Sequence, residues 1–245
     1  MKSRIDKNHF LLKAPICHRG KIDDTVAENT IEAFKKTIQR KYPIELDLQL
    51  TRDNEVVVVH DDNLQRLCGV DKKIEDLTLE EIKKVKIQDK YSIPTFEEVL
   101  TVIDGQVPLL IEIKNVKKCG LLEDLVIETL KQYKGEFAVM AFNPRVLEYL
   151  KIKAPEIIRG QLSSFFKKEK LAFYKKFLLK RMIFNKKTEP DFIAYALENL
   201  PNRFVKKYIE VPLIAWTIRT NEDSKRAKSL NTKNIIFENE KIFVS

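Results

Sequence analysis

The sequence predicts an α/β chain folded as a (β/α)₈ barrel with a small insertion after the second strand. Three observations point there: eight short β-branched runs, helical patterns in most gaps between them, and one gap too long for a simple crossover. The predicted strands are 15–20, 44–50, 109–114, 137–142, 157–162, 191–196, 213–218 and 234–238. Strands alternating with helices make a parallel sheet, and eight is the number that closes on itself.

Helical patterns occupy 30–40, 121–134, 144–152, 165–181 and 222–230. At the first of these Asn29 is read as the cap, with Glu32 three positions on completing a capping box. Ile31, Phe34 and Ile38 then form an apolar stripe at helical spacing. The long gap, about 51–108, holds a hairpin turn at 51–55 that folds 56–60 back beside the second strand. A polar stretch near 67–73 and helices at 79–84 and 96–103 follow. No linker, repeat or low-complexity stretch divides the chain, so 1–245 is expected to be one domain carrying that insertion.

Composition narrows the function classes. At 245 residues, 44% hydrophobic and 33% charged, the chain buries a full core. Its apolar runs fall well short of the roughly 18 consecutive residues a membrane span needs. The N-terminus has neither a continuous apolar region nor a small-residue cleavage site, so a cytoplasmic location is expected. Cys17, Cys68 and Cys119 are odd in number and far apart, which suggests reduced, mostly buried thiols rather than a disulfide framework or a zinc site. Six glycines, with neither a phosphate-binding loop nor a GxGxxG pattern, argue against a nucleotide-binding fold.

The chemistry is expected on strands two and three. In 44–50, Glu45, Asp47 and Gln49 alternate with leucines, so a strand sends the polar residues to one face and the leucines to the other. With the leucines against the helices, Glu45 and Asp47 point into the barrel, and Glu112 and Lys114 do likewise from strand three. Buried acids are costly unless paired or metal-bound. Three carboxylates at neighbouring strand ends therefore suit one divalent cation with oxygen ligands, Mg²⁺ or Ca²⁺, with Mn²⁺ a third candidate. The competing assignment is a structural ion-pair cluster with Arg19 and Lys114. His18 ends the first strand and His60 the hairpin strand, at the same mouth, where two imidazoles beside anion-binding cations would serve acid–base cleavage of a phosphodiester. His9, in the N-terminal arm, is read as structural.

These residues also carry a family resemblance. The ordered series His18-Arg19-Gly20, Glu28-Asn29-Thr30 with Ala33-Phe34, Ile44-Glu45-Leu46-Asp47 with Thr51-Arg52-Asp53, Val58-Val59-His60-Asp61 with Leu64 and Arg66, and Ile111-Glu112-Ile113-Lys114 resembles the glycerophosphodiester phosphodiesterases. Fainter similarity at Phe142-Asn143-Pro144, Pro190-Asp191-Phe192 and Trp216-Thr217 extends it over nearly the whole chain. The resemblance implies His18 and His60 as the acid–base pair, and Glu45, Asp47 and Glu112 as holders of one divalent metal. It implies Arg19 and Lys114 as the phosphate grip, and Trp216 as an apolar wall beside the substrate. It further implies attack by the glycerol 2-hydroxyl, giving a cyclic phosphate that water then opens. Ala27 and Cys17 depart from the family pattern in ways expected to alter packing only. At 235–239 the sequence Ile-Ile-Phe-Glu-Asn departs at the rim after strand eight, which is expected to bear on substrate preference.

Charge is concentrated in one place. Between 163 and 188 lie nine Lys or Arg residues against Glu169 alone, nearly all of the formal excess of +9. The plainer expectation is an outer barrel helix with a solvated lysine face. Interleaved aromatics make 163–187 a candidate for peripheral contact with an anionic membrane. Lysophospholipid cleavage, as by a lysophospholipase D, is the alternative activity. A nucleic-acid partner is not expected, because no nucleic-acid motif accompanies the charge. The expected partner is a small phosphodiester, and no stripe indicates an oligomer interface.

Overall fold

The computed structural model describes residues 2–114, 119–167 and 169–243. Its barrel strands are β1 Ile16–Cys17, β2 Ile44–Leu50, β3 Leu109–Ile113, β4 Phe137–Ala141, β5 Arg159–Ser163, β6 Phe192–Ala196, β7 Leu213–Ile218 and β8 Asn234–Phe237. Successive strands pair in parallel, and Cys17 pairs with both Ile44 and Phe237, which closes the ring. The barrel inferred from alternating strand and helix patterns is therefore what forms.

Side-chain alternation builds two cores. Ile44, Leu46 and Leu48 of β2 face outward onto Phe34 and Phe96 of the surrounding helices. Inside the ring, Leu110, Met140, Leu162, Ala194, Ile214 and Ile236 pack together, and Phe10 and Leu11 of the N-terminal arm join them. Each such fully buried Leu, Ile or Phe stabilises the fold by about 1.5–3 kcal/mol. The arm is held at the N-terminal end of the barrel. Asn234 Nδ2, at the start of β8, donates to the carbonyls of Leu11 and Ala14. His9 accepts from the Leu11 N–H, a local structural role. With apolar side chains filling the lower barrel, polar residues are left to the C-terminal ends of the strands.

Two local expectations are corrected. The first helix, Ile31–Gln39, is capped by Thr30, whose side chain accepts from the Ala33 N–H, and not by Asn29. Asn29 adopts φ 55° and turns its amide into the barrel mouth. The helix expected over 165–181 forms only at Phe173–Lys180. Aromatic packing draws out the residues before it: Phe165 stacks edge-on against Tyr195 and Phe204, and Phe166 against Phe142. Phe166 also has φ 53°, a left-handed conformation that a continuous helix excludes. Lys168, one of the bases counted above, lies outside the described residues.

The hairpin after β2 forms as expected, Val56–Val58 running antiparallel with Leu48 opposite Val58. Beyond it, helices Leu79–Lys84 and Phe96–Ile103 appear with their expected limits, each with a capping box. Val57, Val59, Leu64, Ile74, Ile82 and Ile93 form a separate small core beneath this segment. That core anchors the loop bearing His60. No described helix is long and apolar enough to cross a membrane.

Candidate active site

The site begins where β1 stops. After Cys17 the chain turns tightly through His18–Gly20, with Arg19 at φ 55° and Gly20 at φ 64°. A Cβ on Gly20 would sit 2.6 Å from the Phe34 ring, so glycine is required there by space as well as by conformation. The left-handed Arg19 costs about 1–2 kcal/mol. That cost is offset by two backbone bonds: its N–H donates to Glu45 Oε2 at 3.0 Å, and its carbonyl accepts from the Asn29 N–H at 2.8 Å.

The three carboxylates predicted to point inward do so. Glu45, Asp47 and Glu112 are 1%, 0% and 6% exposed, and one oxygen from each lies within 4.8 Å of the others. The cations predicted beside them are there too. Lys114 Nζ is 3.0 Å from Glu112 Oε1 and 3.5 Å from Asp47 Oδ1, and Arg19 Nε is 3.3 Å from Asp47 Oδ2. Two cations thus face three acids. Burial, then repulsion from Asp47 and Glu112, pushes the Glu45 carboxyl well above its ordinary range. Burial raises Glu112 as well, against the pull of Lys114. For Asp47, burial is outweighed by Lys114 and Arg19, which hold it well below the carboxylate range. Lys114 itself is raised, because Glu112 and Asp47 overcome its burial.

This arrangement fits a divalent cation on grounds beyond the acid count. Asp47 Oδ1 and Asn29 Oδ1 are both buried without a hydrogen-bond donor. Lys114 lies 3.5 Å from Asp47 Oδ1, too far for a hydrogen bond of ordinary length, and Asn29 Oδ1 has no donor; buried acceptors left so cost about 1–3 kcal/mol each. All the candidate donors are oxygens, the chemistry that hard cations such as Mg²⁺ and Ca²⁺ prefer.

Both histidines border the carboxylates. The ring of His18 lies with Nε2 3.9 Å from Glu45 Oε2 and Nδ1 2.8 Å from Glu238 Oε1. Burial lowers its pKa, while the hydrogen bond to Glu238 works the other way. His60 Nδ1 is 2.7 Å from Asp61 Oδ1, and His60 is near enough to Asp47 and Glu112 to favour their charged forms. Gln49, the third polar residue on the inner face of β2, pins the His60 loop. Its Nε2 lies within 3.1 Å of the carbonyls of Val59, His60 and Asp61. Trp216, on β7, packs edge-on to Phe142 with ring centroids 5.7 Å apart.

Four contributors were not marked as site residues from sequence. Asn29 donates to Asp47 Oδ2 at 2.9 Å. Glu28 bridges Arg19 and Arg66, accepting from Arg19 Nη1 and from Arg66 Nη2 at 2.7 Å each. Arg66 in turn grips Asp61 at 2.6 Å, so one ion-pair chain links the first-strand turn to the His60 loop. Glu238, within the 235–239 segment expected to bear on substrate preference, lies with Oε1 2.8 Å from His18 Nδ1 and is itself held by Arg219 at 3.0 Å. Glu28 and Asn29 had a usable signal in the Glu-Asn-Thr motif, and Arg66 had one in the series that follows His60-Asp61. Ala27 and Cys17 are buried in apolar surroundings, as packing substitutions should be.

A closed barrel gathering carboxylates, cations and imidazoles at its mouth has the groups that hydrolysis of a phosphoric diester requires. Comparison with known proteins makes the class specific. The model of the glycerophosphoryl diester phosphodiesterase family matches residues 18–240. A glycerophosphodiester phosphodiesterase of Caldanaerobacter subterraneus subsp. tengcongensis is 31% identical, over 94% of this chain and 96% of that protein. Among solved structures, an Oleispira antarctica phosphodiesterase in complex with its product sn-glycerol-3-phosphate superposes with a TM-score of 0.79 at 22% identity, covering 96% of this chain and 98% of that one. A Thermotoga maritima glycerophosphodiester phosphodiesterase gives 0.71 at 26% identity, covering 94% and 97%. The chain belongs to the glycerophosphoryl diester phosphodiesterase family, and it is an enzyme of that class.

Proposed function

We propose that this enzyme hydrolyses glycerophosphodiesters to glycerol 3-phosphate and an alcohol, with one divalent metal on Glu45, Asp47 and Glu112 and with His18 and His60 as acid–base pair. The observation that carries the reading is the buried trio of acids, short of one positive charge and flanked by two buried oxygens, Asp47 Oδ1 and Asn29 Oδ1, that accept no hydrogen bond. A divalent ion there supplies Lewis-acid polarisation of the phosphoryl oxygens. With it bound, three acids against Arg19, Lys114 and two metal charges leave a net +1, matched to a phosphodiester monoanion.

Arg19 and Lys114 bind the non-bridging oxygens and stabilise the charge that builds on them. The His18 Nδ1 proton is directed at Glu238, which leaves Nε2 a lone pair toward the carboxylate cluster. His18 therefore takes the proton from the attacking hydroxyl. With the glycerol 2-hydroxyl as attacker, a P–O bond forms at that oxygen, the P–O bond to the alcohol breaks, and His60 delivers a proton to the departing oxygen, leaving a cyclic phosphate. Water then opens the ring at phosphorus, His60 taking its proton and His18 returning one to the 2-oxygen, to give glycerol 3-phosphate. Trp216 and Phe142 exclude water from one side of the substrate. We read the chain as one catalytic domain in which 51–108 rides on the barrel and contributes His60. Its three cysteines are free, in keeping with a reducing, cytoplasmic setting.

The deciding assay is release of glycerol 3-phosphate from glycerophosphocholine and glycerophosphoethanolamine, with EDTA and with Mg²⁺, Ca²⁺ or Mn²⁺ restored. Turnover that EDTA stops and one of these ions restores is expected. Folded protein that turns over neither compound with any of the three ions would refute the proposal. A second expectation concerns the His60 loop. Gln49→Leu keeps volume but removes the amide from three carbonyls, so kcat should fall by on the order of 10–10²-fold with little change in KM. An unchanged kcat would mean that the loop is positioned without Gln49.

A further inference from the structure

We propose that residues 169–187, with Phe165 and Phe166 ahead of them, form a docking surface for an anionic lipid bilayer, set beside the mouth of the barrel. The helix Phe173–Lys180 is eight residues long and fully buries none of its side chains. Helices this short are marginal in water without tertiary packing; here Phe177, Leu178 and Leu179 are half-buried against the barrel, and the first turn is left uncovered. What it displays is apolar. Phe173 is 82% and Tyr174 61% exposed, and Ile183 and Phe184 are exposed just beyond the helix. These four make up half of the large exposed hydrophobics among the described residues.

Cations surround them without compensation. Lys170, Lys175, Lys176 and Lys180 have no carboxylate partner among the described residues, whereas Lys187 is paired with Glu148. Apolar side chains ringed by unpaired lysines complement a surface of lipid phosphates over hydrocarbon. A nucleic acid would take the lysines but leave Phe173, Ile183 and Phe184 unused.

The segment is fixed at the catalytic end of the barrel. Ser163, the last residue of β5, donates from Oγ to the Leu179 carbonyl at 3.1 Å. The Tyr195 hydroxyl, near the end of β6, donates to the Lys180 carbonyl at 2.9 Å. Phe166 packs on Phe142, which packs on Trp216, so the docking segment runs directly into the apolar wall of the site. Docking would thus turn the mouth toward the bilayer. The inference does not depend on which diester is cleaved, because it is tested by binding alone.

The experiment is sedimentation of the intact protein with vesicles of phosphatidylcholine mixed with phosphatidylglycerol, and with vesicles of phosphatidylcholine only. Binding to the mixed vesicles, weakened by salt, is expected. Lys175→Gln/Lys176→Gln should reduce the partition coefficient by on the order of tenfold or more, at about fivefold per lysine. Phe173→Ser/Tyr174→Ser should reduce it comparably. Neither pair should alter turnover of a water-soluble glycerophosphodiester. No sedimentation with the mixed vesicles would overturn the proposal, and so would equal sedimentation of the parent and both variants. Salt-sensitive retention by duplex DNA, without vesicle binding, would assign the surface to nucleic acid instead.

Discussion

Replacing His18 by glutamine is expected to lower kcat for glycerophosphodiester hydrolysis by about 10²–10⁴-fold, the usual worth of a positioned general base. The circular dichroism spectrum should be unchanged, since Gln fills similar space and still reaches Glu238. The reasoning rests on where the ring is held. Glu238 takes the Nδ1 side, Glu45 lies beyond Nε2, and burial keeps the imidazole neutral. A base with a lowered pKa stays active to more acidic pH. The acid limb of kcat/KM should therefore lie below the ordinary histidine value of 6.5. Glu238→Gln removes the one carboxylate bonded to the ring, which favours the protonated form. The variant's limb should shift to still lower pH while kcat falls. A merely structural Glu238 would leave the limb in place.

Glu238 also makes a stability prediction with a definite sign. Burial opposes its ionisation, but His18 and Arg219 prevail and bring its pKa down from 4.5 to about 2. A depressed carboxylate contributes stability above its unfolded value and loses it as pH falls through the folded one. The advantage of the parent over Glu238→Gln should therefore be present above about 4.5 and shrink toward about 2. Thermal unfolding across that range checks it.

The second large effect is expected from Glu45→Gln. Turnover should fall by on the order of 10³-fold or more, the several kcal/mol that metal polarisation of a phosphoryl oxygen supplies. Calorimetric binding of the activating ion should weaken in parallel. In EDTA the variant should be the more stable protein. Glu45 is held above its ordinary pKa by burial and by Asp47 and Glu112. An acid with a raised folded pKa lowers stability progressively as pH rises past its unfolded value. An amide removes that penalty and can still accept the Arg19 N–H. Added metal should reverse the order, raising the melting temperature of the parent and not of the variant. Full activity in Glu45→Gln would leave the acid trio as an ion-pair cluster and remove the metal from the proposal.

Much of this molecule was legible along the chain because its information is periodic and local. Alternation in Ile-Glu-Leu-Asp-Leu-Gln-Leu dictates which side chains enter a barrel and which meet helices, and β2 obeys it residue by residue. The helices Leu79–Lys84 and Phe96–Ile103 likewise appear where caps and apolar spacing put them. His18, Glu45, Asp47, His60, Glu112 and Lys114 could be named together because Glu45, Asp47 and Glu112 alternate into the barrel along their strands and His18, His60 and Lys114 follow strand ends, and a closed parallel sheet brings these positions to one mouth.

What remained for the tertiary structure depends on competition between partners distant in sequence. Asn29 has cap chemistry, yet donating its Nδ2 to a buried Asp47 oxygen 18 residues away turns its side chain off the helix and leaves Thr30 to cap. Glu238 stands at a strand end like other acids, and only closure of β8 onto β1 brings it 2.8 Å from His18. Gln49 looks like an ordinary inward polar residue until the hairpin folds three carbonyls over it. At Phe165 and Phe166 the helical pattern loses to aromatic contacts, because packing two rings gains more than extending an exposed helix by about two turns. The sequence by itself determined the barrel and the charged residues at its mouth. Tertiary closure decided which polar groups hold those residues in place, since a hydrogen bond between residues 220 apart leaves no periodic trace in the chain.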